Sequence, residues 1–232
     1  GALRRSPLAG LVRALVMNRA HGAGFVGAFE VGKSYGTGAD GHPVEPRAIG
    51  VLLAGAWPAC GAMREGPAVE FGDLKGVVQN LLSGLAIAES RVRFRPTAAS
   101  EVSFVHPGKA AIVEIDGTPV GVLGALHPEA MQVFDLAGEV WISELDFTAI
   151  AHYVPRRFDL TAPPRFPAVA RDIAVIVDEA FLADDILEEI QKVSDPRIES
   201  ARLFDCYRGV PIPPGQKSLA YAIAYRASDR TL

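Results

Sequence analysis

The stretch that most resembles a chemical device is Gly27-Ala-Phe-Glu-Val-Gly-Lys33-Ser34, which fits the glycine-rich phosphate-binding pattern residue for residue. A second stretch, Ile173 to Glu179, is an apolar run closing on two carboxylates, as the companion strand of such a site does. Together they define one reading, a P-loop NTPase using Gly27 to Ser34. That chemistry needs a loop whose N–H groups curl round the phosphates, followed at once by a helix N-terminus. Here Ala28 to Val31 are strand-like, and Ser34 is followed by Tyr-Gly-Thr-Gly-Ala-Asp-Gly, which cannot form a helix. A strand end is expected instead, with the NTPase kept as the alternative.

The other chemical candidates are weaker. Gly22-Ala-Gly-Phe-Val-Gly27 has dinucleotide-loop spacing, but it follows a helical pattern and precedes a strand, the reverse of the required order. The five histidines show no metal-ligand spacing; His106 and His127 precede prolines and are expected to serve as turn or cap residues. Asp178, Glu179, Asp184, Asp185, Glu188 and Glu189 are read as a solvated face and acidic first turn of a helix. Cys60 and Cys206 form neither a CxxC nor a disulfide framework, so two reduced thiols in a cytoplasmic protein are expected. No catalytic residue and no metal site are assigned.

Hydrophobic residues make up 49% of the chain and charged residues 22%, a balance that excludes disorder. The net charge of −4 does not announce nucleic-acid binding. No apolar run reaches membrane-spanning length, and the N-terminal arginines lack the apolar stretch of a signal peptide. The first residue is not Met, which suggests a processed chain or a fragment.

Periodicity predicts a helix over 7–20, strands at 25–35 and 49–54, and a turn-rich loop at 36–43. A second helix, N-capped by Asp73, carries Leu74, Val77, Val78, Leu81, Leu82 and Leu85 on one apolar face. Residues 91–95 alternate as a half-exposed strand does, and Asp116-Gly117 joins strands 110–115 and 120–126 as a hairpin. His127-Pro128 opens a short helix to Leu136, and 139–145 returns as a strand. Prolines 155, 163, 164 and 167 mark a linker over 153–164. Beyond it the order is strand (171–178), helix (182–193), strand (197–207) and strand (217–226). Ile173 to Val177 is apolar without alternation, which predicts a strand covered on both faces or central in its sheet. The fold class is therefore α+β, in two domains, 1–152 and 165–232.

Several stretches, in order, are similar to the β subunit of bacterial phenylalanyl-tRNA synthetase. They are Leu3-Arg-Arg-Ser-Pro-Leu-Ala-Gly-Leu11, Asn18-Arg19, Phe29-Glu-Val-Gly-Lys33, Phe71-Gly-Asp-Leu-Lys-Gly76, His106-Pro-Gly-Lys109 and Gly124-Ala-Leu-His-Pro128. Arg165-Phe-Pro-Ala-Val-Ala-Arg-Asp172, Leu203-Phe-Asp-Cys-Tyr207, Lys217-Ser-Leu219 and Asp229-Arg-Thr-Leu232 then resemble that family's ferredoxin-fold anticodon-binding domain.

The resemblance implies a non-catalytic, class II synthetase-like antiparallel sheet with helices, followed by a ferredoxin-like domain cut from βαββαβ to βαββ. It implies an α-subunit partner in an α2β2 assembly, tRNA(Phe) as the RNA, and a cytoplasmic location. ATP and magnesium belong to the full synthetase, with no cofactor in this region. Carried over residue by residue, Ala174, Asp205, Tyr207 and Ser218 are the implied anticodon contacts. A Tyr on an open sheet stacks on a base, and Asp or Ser reads a base edge. Residues 153–232 hold 11 Lys/Arg and 12 Asp/Glu, six of those acids within 178–189, so the remainder is net +5. A basic sheet face with salt-sensitive RNA affinity is expected, together with apolar surface exposed on the sheet's other face and low local stability.

Overall fold

A computed structural model describes residues 3–38, 40–59, 66–98, 102–157 and 163–232; Cys60 and linker residues 158–162 lie outside them. The chain groups into two compact units, Gly1–Arg157 and Phe158–Leu232.

In the first unit, α1 (Leu8–Ala20) begins after Pro7 and buries Leu8, Leu11, Val12 and Leu15. Gly22, at φ +83°, ends it, because only glycine enters that region without cost. The strands are β1 (Phe25–Lys33), the two-residue pair β2 (Gly36–Thr37) and β3 (Pro43–Val44), and β4 (Arg47–Gly55), with α2 (Phe71–Gly84) after them. A 3-10 turn (Glu89–Arg91) leads into β5 (Val92–Pro96), β6 (Val105–Ile115), β7 (Thr118–Leu126), α3 (Pro128–Val133), β8 (Val140–Asp146) and α4 (Phe147–Ile150). Asp116 (φ +50°) and Gly117 (φ +76°) form the expected tight hairpin turn between β6 and β7.

One antiparallel six-stranded sheet results, in the order β1-β4-β8-β7-β6-β5. Its two faces carry separate cores. Leu52, Ala54, Val122 and Ile142 meet α1, while Val51, Leu53, Leu123, Trp141 and Leu145 meet Leu74, Val78 and Leu82 of α2. This double cover keeps β4 buried at seven successive positions. At Gly50 a Cβ would come within 2.9 Å of Pro7 Cγ and 3.0 Å of Leu11 Cδ1, so glycine lets α1 approach the sheet. Tyr153 and Val154 pack on the α2-side core.

The α2 cap differs from expectation. Glu70 is the N-cap, and Asp73, three residues on, accepts from the Glu70 N–H at 2.8 Å. A carboxylate there reaches back to the cap, so the helix starts earlier than Asp73 suggested. Trp141 Nε1–H donates to Val69 O at 2.9 Å, and the Trp141 ring meets Phe71 edge-on. Together these contacts fix the entry of α2 onto the sheet.

The second unit is β9 (Val169–Asp178), α5 (Ala183–Lys192), β10 (Ile198–Tyr207) and β11 (Gln216–Tyr225). All pairs are antiparallel in the order β10-β11-β9. The centre is β11, whereas β9 lies at an edge with most residues exposed, Ile176 at 56%. This corrects the expectation for Ile173 to Val177. An unbroken β-branched run favours extended backbone, but its cover depends on which elements pack there. Leu219, Tyr221 and Ile223 of β11 are buried, and Tyr221 Oη–H donates to Ala183 O of α5 at 2.9 Å. Ile173 and Leu203, which flank Tyr221, remain exposed on that face. Among the described residues no helix is long and apolar enough to cross a membrane.

Candidate nucleic-acid interface

The phosphate-loop pattern folds as an edge strand. Gly27 to Lys33 pair with Leu53 to Arg47 along β1 and β4, so their N–H groups do not converge on an anion. Lys33 Nζ donates to Glu45 Oε2 at 2.7 Å, and that hydrogen bond holds the ammonium pKa above its ordinary value. Ser34 N–H is bonded to Pro46 O, and the next element is strand β2 in place of a helix. His106 Nδ1 accepts from Gly108 N–H and His127 Nδ1 from Glu129 N–H, both local turn and cap roles. Among the described residues no three His, Cys, Asp or Glu side chains gather as metal ligands.

The four residues carried over for RNA contact meet on one face of the three-stranded sheet. Directly paired residues share a face, and same-face positions recur every second residue. Tyr207 pairs with Ser218, and Ser218 with Ile176; Asp205 pairs with Ala220, and Ala220 with Ala174. Two adjacent rows therefore hold all four. Tyr207, Asp205 and Ala174 are exposed, and Ser218 is half-buried on the central strand. This is the face opposite Leu219, Tyr221 and α5. Along it β11 offers Ser218, Ala220, Ala222 and Ala224 beyond Gln216 at its start, a low floor down the middle of the face.

Tyr207 is 46% exposed, and its Oη–H donates to Val210 O at 2.9 Å, in the β10–β11 connection. The hydroxyl is thus engaged locally and the ring is held in place. Behind it, Arg208 makes a two-pronged pair with Glu179, Nη2 to Oε1 at 2.6 Å and Nε to Oε2 at 3.1 Å. That hydrogen bonding keeps the Glu179 carboxyl below its usual range. Lys217 Nζ donates to Glu179 O at 2.7 Å, tying this end of the sheet together. Burial pushes the Tyr221 phenol up to about 12, so it stays a neutral donor beneath the sheet.

The basic sheet face expected from composition is not there. In register on the open face stand Asp172, Asp178 and Asp205 against Arg202 alone. The other arginines nearby are engaged: Arg197 with Asp195, Arg208 with Glu179, and Arg226 with Glu199. Counting charge along the chain says nothing of which face it occupies, and that is why the expectation failed. Arg202 does not stand out in the sequence, because a strict two-residue count from Tyr207 and Asp205 selects Leu203. A β-bulge at Phe204 shifts the parity, pairing Leu203 with buried Tyr221 and Arg202 with Ala222. No sequence signal marks that bulge.

Two family descriptions match the chain: "Phenylalanyl tRNA synthetase beta chain CLM domain" over residues 1–147, and "Ferredoxin-fold anticodon binding domain" over 164–232. Similar curated relatives are named phenylalanine–tRNA ligase beta subunit. That of Symbiobacterium thermophilum is 37% identical over 190 residues, 82% of this chain and 21% of the relative. Those of Geobacillus kaustophilus and Vibrio vulnificus are 32% and 34% identical over 99% and 100% of this chain, and 28% and 29% of their own lengths. The chain therefore spans between about a fifth and three tenths of the length of these relatives. On a match over more than half its residues, this chain belongs to the phenylalanyl-tRNA synthetase beta-chain family.

Proposed function

We propose that this chain serves phenylalanine–tRNA ligase as a non-catalytic part of its β subunit. The second unit holds the anticodon side of tRNA(Phe), and the first is a scaffold for the α subunit. The whole enzyme, an α2β2 assembly in the cytoplasm, attaches phenylalanine to tRNA with ATP and magnesium bound outside this region. The observation that carries the reading is the gathering of Tyr207, Asp205, Ser218 and Ala174 on one uncovered face. The ring gives a stacking surface worth about 1–3 kcal/mol. Asp205 can accept from a base edge, Ser218 can donate or accept, and Ala174 leaves room for the base.

The α-subunit role is supported by the edge strand β1. Phe29 and Val31, in register with Val51 and Ile49, are 75% and 51% exposed. Two large apolar side chains on an unpaired strand edge suit a protein partner. The test of the RNA reading is fluorescence anisotropy with a labelled stem-loop carrying the phenylalanine anticodon, against the same stem with a scrambled loop. Tighter binding of the cognate loop is expected; equal affinity would remove the reading.

A further inference from the structure

Arg202 is the one basic side chain in register on the open face among the described residues. It is exposed, and its neighbour on the central strand is Ala222, whose methyl group leaves the space above it clear. Across the row lies Asp172 on β9, two strands away, about 9.6 Å by the usual strand spacing, and the two form no ion pair. Arg197, Arg208 and Arg226 each donate to a carboxylate, whereas the Arg202 side chain has no hydrogen bond or ion pair among the described residues. A guanidinium left free beside an acidic row carries five donors in a planar fork suited to a phosphate.

The placement relative to Tyr207 and Asp205 adds the geometry. Same-face positions along a strand repeat every ~6.8 Å, close to the phosphate repeat of an extended single strand. A base stacked on Tyr207 and a base edge read by Asp205 therefore bring the next phosphodiester over the Arg202 row. We propose that Arg202 is a further RNA-binding residue of this face. It holds the phosphodiester adjoining the nucleotides that Tyr207 and Asp205 engage. The inference rests on the anticodon-binding reading and deepens it. Tyr207 and Asp205 select, and Arg202 fixes the strand along the sheet.

It follows that salt dependence at this face is small and comes from Arg202. One phosphate contact to a single strand contributes a slope of about −0.7 in log K against log salt, or about 2.6-fold in affinity across a fourfold rise in salt. The experiment titrates the full 232-residue chain, its Arg202→Gln and Arg202→Lys variants and Tyr207→Ala against the labelled anticodon stem-loop at several salt concentrations. Circular dichroism melts confirm that each variant folds. Arg202→Gln is expected to bind more weakly with the slope reduced by about 0.7 and the preference for the cognate loop unchanged, while Arg202→Lys keeps most of the slope. An unchanged slope in Arg202→Gln, with Tyr207→Ala still weakened, overturns the Arg202 contact and leaves the RNA face standing. A changed loop preference in Arg202→Gln overturns it too, since the residue would then be reading a base. If Tyr207→Ala and Arg202→Gln both bind as the parent does, the anticodon-binding reading fails and takes the inference with it.

Discussion

Replacing Tyr207 separates the ring from the hydroxyl, two parts of the side chain that the structure uses differently. Tyr207 is 46% exposed on the open face beside Ser218, and its hydroxyl is spent on Val210 O at 2.9 Å. Tyr207→Ala removes the stacking surface, worth about 1–3 kcal/mol, so the dissociation constant for the anticodon stem-loop rises by about 5- to 150-fold. Tyr207→Phe keeps that surface and loses one exposed hydrogen bond, worth at most about 0.5–1.5 kcal/mol and here near the lower end because water replaces it. A two- to threefold weakening, ~0.5 kcal/mol, is expected for Phe. The assay is anisotropy at fixed salt, with thermal melts showing that both variants fold. If Phe binds as poorly as Ala, the hydroxyl and not the ring contacts RNA. If Ala binds as well as the parent, the face is not a stacking platform.

Other perturbations bear on the rest of the molecule. Phe29→Glu, at an exposed site on β1, should abolish co-elution with the α subunit while leaving the melting temperature unchanged; retained co-elution would move the α contact elsewhere. Glu144 accepts from Ser6 Oγ–H beneath the start of α1, and burial raises its pKa above the ordinary 4.5. A raised folded pKa means that the ionised form costs the folded state stability, a penalty absent below the unfolded value and full above the folded one. Glu144→Gln should therefore melt higher than the parent at neutral pH, with the gain vanishing as pH falls below about 4; a gain that is independent of pH refutes the burial argument. Asp195 accepts from the Arg197 side chain and backbone N–H, which lower its pKa to about 2. Its contribution is present above the ordinary carboxylate value and lost as pH falls through about 2. Carbon-detected titration should show that midpoint, and Arg197→Gln should move it upward; an unmoved midpoint would remove the side-chain cause.

Local chemistry was legible wherever neighbours in the chain decide it. Pro7 and the apolar positions of α1, the Asp116-Gly117 turn and the helical stripe of Leu74, Val78 and Leu82 depend on steric rules a few residues long. The failure of the phosphate-loop pattern was legible too, because a strand-like filling and a glycine-rich sequel rule out the loop and helix that it needs. Tertiary structure alone decided which strand lies in the middle. Ile173 to Val177 reads as the better-covered strand, yet alternating β11 holds the centre, because burial is set by what packs on a strand and not by its propensity. It also decided where charge goes, turning an expected basic face into three aspartates and one arginine. The bulge at Phe204 is the plainest case. One extra residue in β10 reverses which alternate side chains face outward, and so places Arg202 on the same face as Tyr207 and Asp205. Parity across a sheet belongs to the pairing of two strands, and one strand's sequence does not contain it.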